Sequence, residues 1–235
     1  MKLDVNNNSS RLLYLFLATD FVLISLHILY LTTDILSNPY FSIEKDRGYG
    51  ELFQYIKEYW IAILLSLLAW RNRSFLYLGW SLLFFYLLLD DAAFIHENLG
   101  RFISHRLGFS PAFNLRAIDF GELIVSACVS LFFLICIATA HRFSDRSSKQ
   151  DSRYLILMLF VLALFGIIVD MVHIALQSSY WESSLALIED GGEMIVMSFI
   201  AWFVFSVSER PSPTTIFIEK RQQMLDAHSN VMISK

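Results

Sequence analysis

Asp90, Asp170, Glu189, Asp190 and Glu193 stand inside stretches that are otherwise almost wholly apolar. A charged side chain at the centre of a membrane span costs at least about 2.5 kcal/mol on insertion scales, so such residues are functional candidates by default. Several carboxylates at one depth cannot all stay ionised; they must share protons or bind cations. His96 and His173 beside them point to a metal. Imidazole mixed with carboxylate is a transition-metal ligand set, whereas Ca²⁺ and Mg²⁺ want oxygen alone. The expected ligand pool is Asp90, His96, Glu97, Asp170, His173, Glu189, Asp190 and Glu193, with His27, Asp91, Asp119 and Glu122 as further contributors. The implied cofactor is one or two divalent ions of Fe, Zn or Mn, activating water for hydrolysis or O₂ for oxidation.

Spacing supports convergence within helices. Asp170 and His173 are i, i+3 with Gln177 continuing their face, and Glu189 and Glu193 are i, i+4 with Asp190 adjoining. Asp90 and Glu97 are i, i+7, flanked by Asp91 and His96; Asp20 and His27 repeat that interval; Asp119 and Glu122 are i, i+3. Asp90 follows Arg73 by 17 residues, Asp170 follows Arg153 by 17, and Glu193 precedes Arg210 by 17. At 1.5 Å per residue each lies about 25 Å from the basic face.

Acid-x-x-His spacing is similar to that of the di-iron helix bundles, where such motifs project inward from facing helices. Ferritin-like membrane oxidases carry two Glu-x-x-His motifs plus two single Glu. The seven-span zinc hydrolases of the ceramidase and adiponectin-receptor type use three His with a helical His-x-x-x-His pair. This chain has one acid-x-x-His and no such pair. It resembles neither closely, and no family residues carry over.

The elements that must position these groups are membrane helices. Of 235 residues, 56% are hydrophobic and only 17% charged, which excludes a disordered chain, a basic nucleic-acid binder and an ordinary cytosolic enzyme. Two Cys exclude a disulfide-stapled scaffold. Runs of roughly 20 apolar residues are needed to cross about 30 Å of hydrocarbon. Six occur, at about 11–32, 53–70, 75–97, 117–140, 154–177 and 185–207, predicting an all-α, polytopic six-helix bundle. The first run is too long for a signal-peptide core and lacks a small-x-small cleavage site, so an uncleaved anchor is expected. The membrane domain is expected to occupy residues 1–210, and 211–235 to form a tail whose IFIEKRQQML stretch rests on the membrane surface.

Of the 18 Lys and Arg, twelve flank one set of span ends and six the other, placing both termini in the cytoplasm of a plasma (inner) membrane protein. Eleven of the 22 acids then fall inside spans, mostly toward the outer side, with Lys57 as the lone basic residue well inside one. The net charge of −4 averages a basic cytoplasmic face with an acidic outer layer.

The leading expectation is a membrane metalloenzyme whose site opens outward to a lipophilic substrate. The alternatives are a proton or cation translocator and a non-catalytic subunit of a larger membrane complex or homo-oligomer. Inner halves such as LILMLFVLALF (155–165) are too apolar to suggest a through-route. Simpler roles compete residue by residue. Glu58, Glu97 and Asp119 suit solvated span ends, His27 a satisfied core histidine, Gly191 and Gly192 helix packing, and Cys128 and Cys136 small buried apolar positions. The stretch ELFQYIKEYW (51–60) can open as an interfacial helix before turning inward.

Overall fold

The structure, a computed structural model, describes residues 7–176 and 182–210. Gln177 and the tail helix expected after Pro213 lie outside the described residues. The elements are α1 (Asn7–Thr32), a 3-10 turn (Pro39–Phe41), α2 (Tyr49–Asn72), α3 (Phe75–Ala93) and α4 (Ile95–Leu107). There follow α5 (Ala117–Phe143), α6 (Arg146–Ala163), a π-helical segment (Leu164–Val169), α7 (Asp170–Ala175) and α8 (Glu182–Ser208). Among the described residues no strand forms beyond one isolated bridge, Ala112–Leu115. Among the described residues six helices are long and apolar enough to span a membrane, the fifth running from Arg146 through the π segment to Ala175. Helices suit that setting because every backbone polar group is satisfied within the element.

Helix α2 is central and packs on α3 and α8; α1 lies against α8, α4 pairs with α5, and α6 with its π segment leans on α8. The common core includes Ile61, Leu65, Trp80, Phe84, Met197, Ile200 and Val204, all buried. Lipid tails are as apolar as these side chains, so close packing and polar contacts hold the helices together. Helices α5 and α6, consecutive in sequence, scarcely touch.

Ser9 Oγ donates to Glu209 Oε2 at 2.6 Å, which places the start of α1 and the end of α8 on one face, here the terminal face. Asp151 sits there, 1% exposed. Its carboxylate accepts from Tyr77 Oη at 2.8 Å and from Arg210 Nη1 at 2.8 and 2.9 Å. The residue 33–48 segment and α4 occupy the opposite, distal face.

Several boundaries differ from expectation. The 75–97 span ends at Ala93, Phe94 takes a left-handed conformation at φ 53°, and α4 begins at Ile95. Asp90 causes the break: its Oδ1 accepts the His96 backbone N–H at 2.8 Å, which a continuing helix would have spent on Ala92. His96 and Glu97 therefore belong to α4, and the i, i+7 register between Asp90 and Glu97 is lost. Residues 49–72 form one helix with no interfacial turn. The expected 141–153 loop shrinks to Ser144 and Asp145 because both flanking helices continue; Asp145 caps α6 by accepting from Ser147 N at 2.9 Å and Ser148 N at 3.1 Å. Cys128 is exposed on the apolar surface, contrary to a buried role.

Candidate functional site

The distal half of the bundle gathers the intramembrane acids into three neighbouring groups, with a fourth polar group beneath them. Asp90, near the end of α3, is wrapped by the α3–α4 break. His96 Nδ1 lies 3.0 Å from its Oδ2, and Tyr86 Oη donates to its Oδ1 at 3.3 Å. This hydrogen bond to Asp90, opposed by partial burial and aided by the charges of Glu122 and Glu97, raises the His96 pKa above its usual 6.5.

The second group joins α7 to α8. His173 Nδ1 meets Glu189 Oε2 at 2.7 Å, and the Asp170 carboxyl lies beside that of Glu189. The π segment immediately before Asp170 sets this geometry by shifting the helical register by one residue, a device common at functional sites. Its close approach to α8 depends on glycine. A Cβ on Gly192 would run into the Phe165 ring, and one on Gly166 would run into Glu193 Oε1.

The third group lines a cavity of about 170 Å³ between the 43–46 segment and the distal parts of α2, α3 and α8. Six acids line it, Glu44, Asp46, Glu51, Asp91, Asp190 and Glu193, against one amine, Lys45. Gln54 also lines it, is 7% exposed, and its Oε1 has no hydrogen-bond partner. Below it Glu58, 1% exposed, lies beside Asp91. Glu193 feels the charges of Asp190, Asp91, Glu189 and Asp170, so the second and third groups form one electrostatic unit.

Beneath the cavity Lys57 is fully buried. Its Nζ donates to Asp20 Oδ1 at 3.1 Å, Met194 O at 2.7 Å and Ser198 Oγ at 3.2 Å. Ser198 Oγ donates to Asp20 Oδ2 at 2.5 Å. All three ammonium protons are thereby used, as a buried charge requires.

The expected ligand pool is thus divided. Asp91, Asp190 and Glu193 meet at the cavity; Asp170, His173 and Glu189 form the acid–His cluster; Asp90 and His96 pair apart from both. Asp119 is fully buried in a structural role, accepting from Arg116 N at 2.7 Å and from its guanidinium at 2.8 and 3.0 Å at the start of α5. His27, also fully buried, accepts the Ile43 N–H on Nδ1 at 3.3 Å, which leaves its proton on Nε2 facing Glu44 at 3.5 Å. It ties α1 to the distal segment through Nδ1, whereas Nε2 is buried without a hydrogen bond, so the satisfied-histidine role holds for one ring nitrogen only. Among the described residues, no three His, Cys, Asp or Glu side chains are arranged to hold a metal ion. Carboxyls and imidazoles spend their polar atoms on one another, so the residues do not present a preformed metal centre.

Gln54, Lys57, Glu58 and Ser198 lie outside the expected ligand pool. The spacing of 54, 57, 58 and 61 on one helical face is the available signal; the partners, Asp20 and Ser198, lie 37 and 141 residues from Lys57. A crevice of about 560 Å³, lined by Leu123, Ile167, Met171 and Val172 among others, separates α5 from the π segment and α7.

No curated protein and no solved structure matches the chain. A family model described as "Domain of unknown function (DUF8692)" matches residues 12–208, a stretch that takes in nearly all of the six spans and every acid of the distal layer. The chain belongs to that family.

Proposed function

We propose that this protein is a membrane-embedded cation-binding protein whose acid-lined cavity exchanges with one side of the bilayer only. The cavity carries the reading: six carboxyls surround about 170 Å³ with a single amine among them. Such a concentration of one charge sign inside low-dielectric walls focuses the field and attracts counter-ions. Among the described residues, ionisable groups in the core stop at Lys57 and Asp20 until Asp151. Beyond them Ile61, Leu65, Phe84, Met197, Ile200 and Val204, each at most 1% exposed, fill the core toward Asp151. That apolar plug supports a one-sided site over a through-route. The bias of Lys and Arg toward the terminal face supports a cytoplasmic location for both termini and an extracytoplasmic cavity in the plasma (inner) membrane.

The test is a thermal titration of detergent-purified protein with Ca²⁺, Mn²⁺, Zn²⁺, putrescine and agmatine. A bound cation raises the unfolding midpoint by mass action. At least one should do so in the wild type, and Asp190→Asn should abolish the effect. A wild type indifferent to the whole panel overturns the reading.

A metalloenzyme acting on a lipophilic substrate is the second reading. It is favoured by the mutual contact of Asp170, His173 and Glu189 beside the apolar crevice that opens between α5 and α7. A transition-metal ion would be held by these three in place of the contacts they now make with one another, and the ion would supply Lewis acidity. Elemental analysis checks it: Fe, Zn or Mn in wild-type protein, absent from His173→Ala, supports it, and metal-free wild type retaining its fold sinks it.

A further inference from the structure

The composition of the cavity says which kind of cation suits it. A metal ion needs ligands converging on one point at 2.0–2.6 Å, in a fixed or nearly fixed polyhedron. The described acids do not converge in that way. What the cavity offers instead is a scatter of acceptors: the carboxyls of Asp91, Asp190 and Glu193 and the amide of Gln54 along its walls, with Glu58 just beneath. The amide oxygen of Gln54, Oε1, is buried in the cavity wall and has no hydrogen-bond partner. A buried acceptor left unmade is costly, so its retention points to a donor that arrives from outside. Among the side chains that line the cavity the only cation is Lys45.

A guanidinium or ammonium group brings several N–H donors of its own, each reaching an acceptor at about 2.7–2.9 Å. It therefore satisfies acceptors spread over several ångströms, where a bare ion could reach only those at one point. The volume of about 170 Å³ accommodates such a head on a short alkyl stem, and Ile43 and Met194 give the stem apolar walls. It is too small for a drug-sized ligand.

We propose that this cavity is a binding site for an organic cation, an amine or guanidinium head held by Gln54, Asp91, Asp190 and Glu193. The inference rests on the reading of the cavity as a cation site and adds the class of ligand.

Titration calorimetry in phosphatidylcholine nanodiscs tests it, with agmatine, putrescine, Ca²⁺ and Mn²⁺ as probes. Agmatine or putrescine should bind at least about tenfold more tightly than either metal. Gln54→Leu and Glu193→Gln, each checked for a monodisperse folded particle, should each weaken agmatine about tenfold, the loss of one charge-assisted contact. Asp34→Asn, on the exposed turn after α1, should leave it unchanged. Gln54→Lys places an ammonium inside the cavity, and should raise the ligand-free unfolding midpoint while removing agmatine binding. Metals that bind while both amines fail would overturn the inference and leave the cation-site reading standing. No binding by any probe overturns both. Agmatine binding that ignores position 54 and position 193 overturns the assignment to this cavity. Repeating the titration with phosphatidylethanolamine discs separates two sources of the same chemistry. A several-fold weaker apparent agmatine affinity assigns the site to a lipid amine, and an unchanged one assigns it to a soluble ligand.

Discussion

At His96 the hydrogen bond to Asp90 holds the imidazole above its usual pKa of 6.5, with the charges of Glu122 and Glu97 facing the ring from α5 and α4. A group whose folded pKa is raised contributes stability that is complete below the unfolded value and is lost as pH rises through the folded one. The unfolding midpoint should therefore fall as pH rises above the ordinary histidine value of about 6.5. His96→Gln should flatten that part of the profile; parallel profiles for wild type and variant would refute the pairing. Lys57 makes a different kind of statement. Its ammonium is fully buried with Asp20, Ser198 and a main-chain carbonyl as acceptors. Removing one member of such a pair strands the other, at about 3–5 kcal/mol, whereas replacing both by apolar residues is often nearly neutral. Lys57→Met alone should thus sharply lower the unfolding midpoint, and Lys57→Met with Asp20→Leu should recover most of it. The intramembrane acids themselves were legible in the sequence because charge in an apolar run needs no partner to be noticed. Their partners were not, since the contacts Lys57 makes span 37 to 141 residues and no local pattern encodes them.

Among the elements, the six spans follow from apolar run length, and the structure keeps all of them. The break after α3 was not readable, because neither Phe94 nor its neighbours is a helix breaker. It arises from one side chain, Asp90, capturing the His96 N–H. The π segment is equally silent in LFGIIV, although Gly166 marks where Glu193 comes closest. Glycine packing separates two adjacent positions that sequence treats alike. A Cβ on Gly191 would meet Ile24 at an ordinary 3.5 Å, whereas one on Gly192 would overlap the Phe165 ring. Gly191→Ala should be neutral or stabilising by up to about 1 kcal/mol from helix propensity. Gly192→Ala should cost about 1–3 kcal/mol, as overpacking does. It should also weaken cation binding by moving the π segment off α8. Equal unfolding midpoints for the two variants would show that this contact does not hold the site.

For the whole molecule, the decisive feature is the distance between two polar ends of one core. The distal end holds the acid cavity and Lys57; the terminal end holds Asp151 under Tyr77 and Arg210. Between them α2 contributes Ile61 and Leu65, and α8 contributes Met197, Ile200 and Val204, all essentially without exposure. On α8, Ser198 and Ser208 are ten residues apart, about 15 Å of helix. Transporters place their sites near the midplane and break the helices that form them, so that either side can reach the substrate. Here α2 and α8 run unbroken past the plug, and both the π segment between α6 and α7 and the α3–α4 break lie in the distal half. The Asp151 contacts further tie α3, α6 and the end of α8 together, which opposes any parting of the terminal end. The expected outcome in proteoliposomes is accordingly cation binding without flux. A membrane-potential dye should report no cation current through wild type at either polarity, while the cavity still titrates with added cations. Releasing the terminal end by Arg210→Ala should lower the unfolding midpoint without opening a conductance, because the plug lies deeper than the contact it removes. A current that appears in wild type, or on loss of Arg210 alone, would mean that the plug parts in the membrane and that the acids serve a passage.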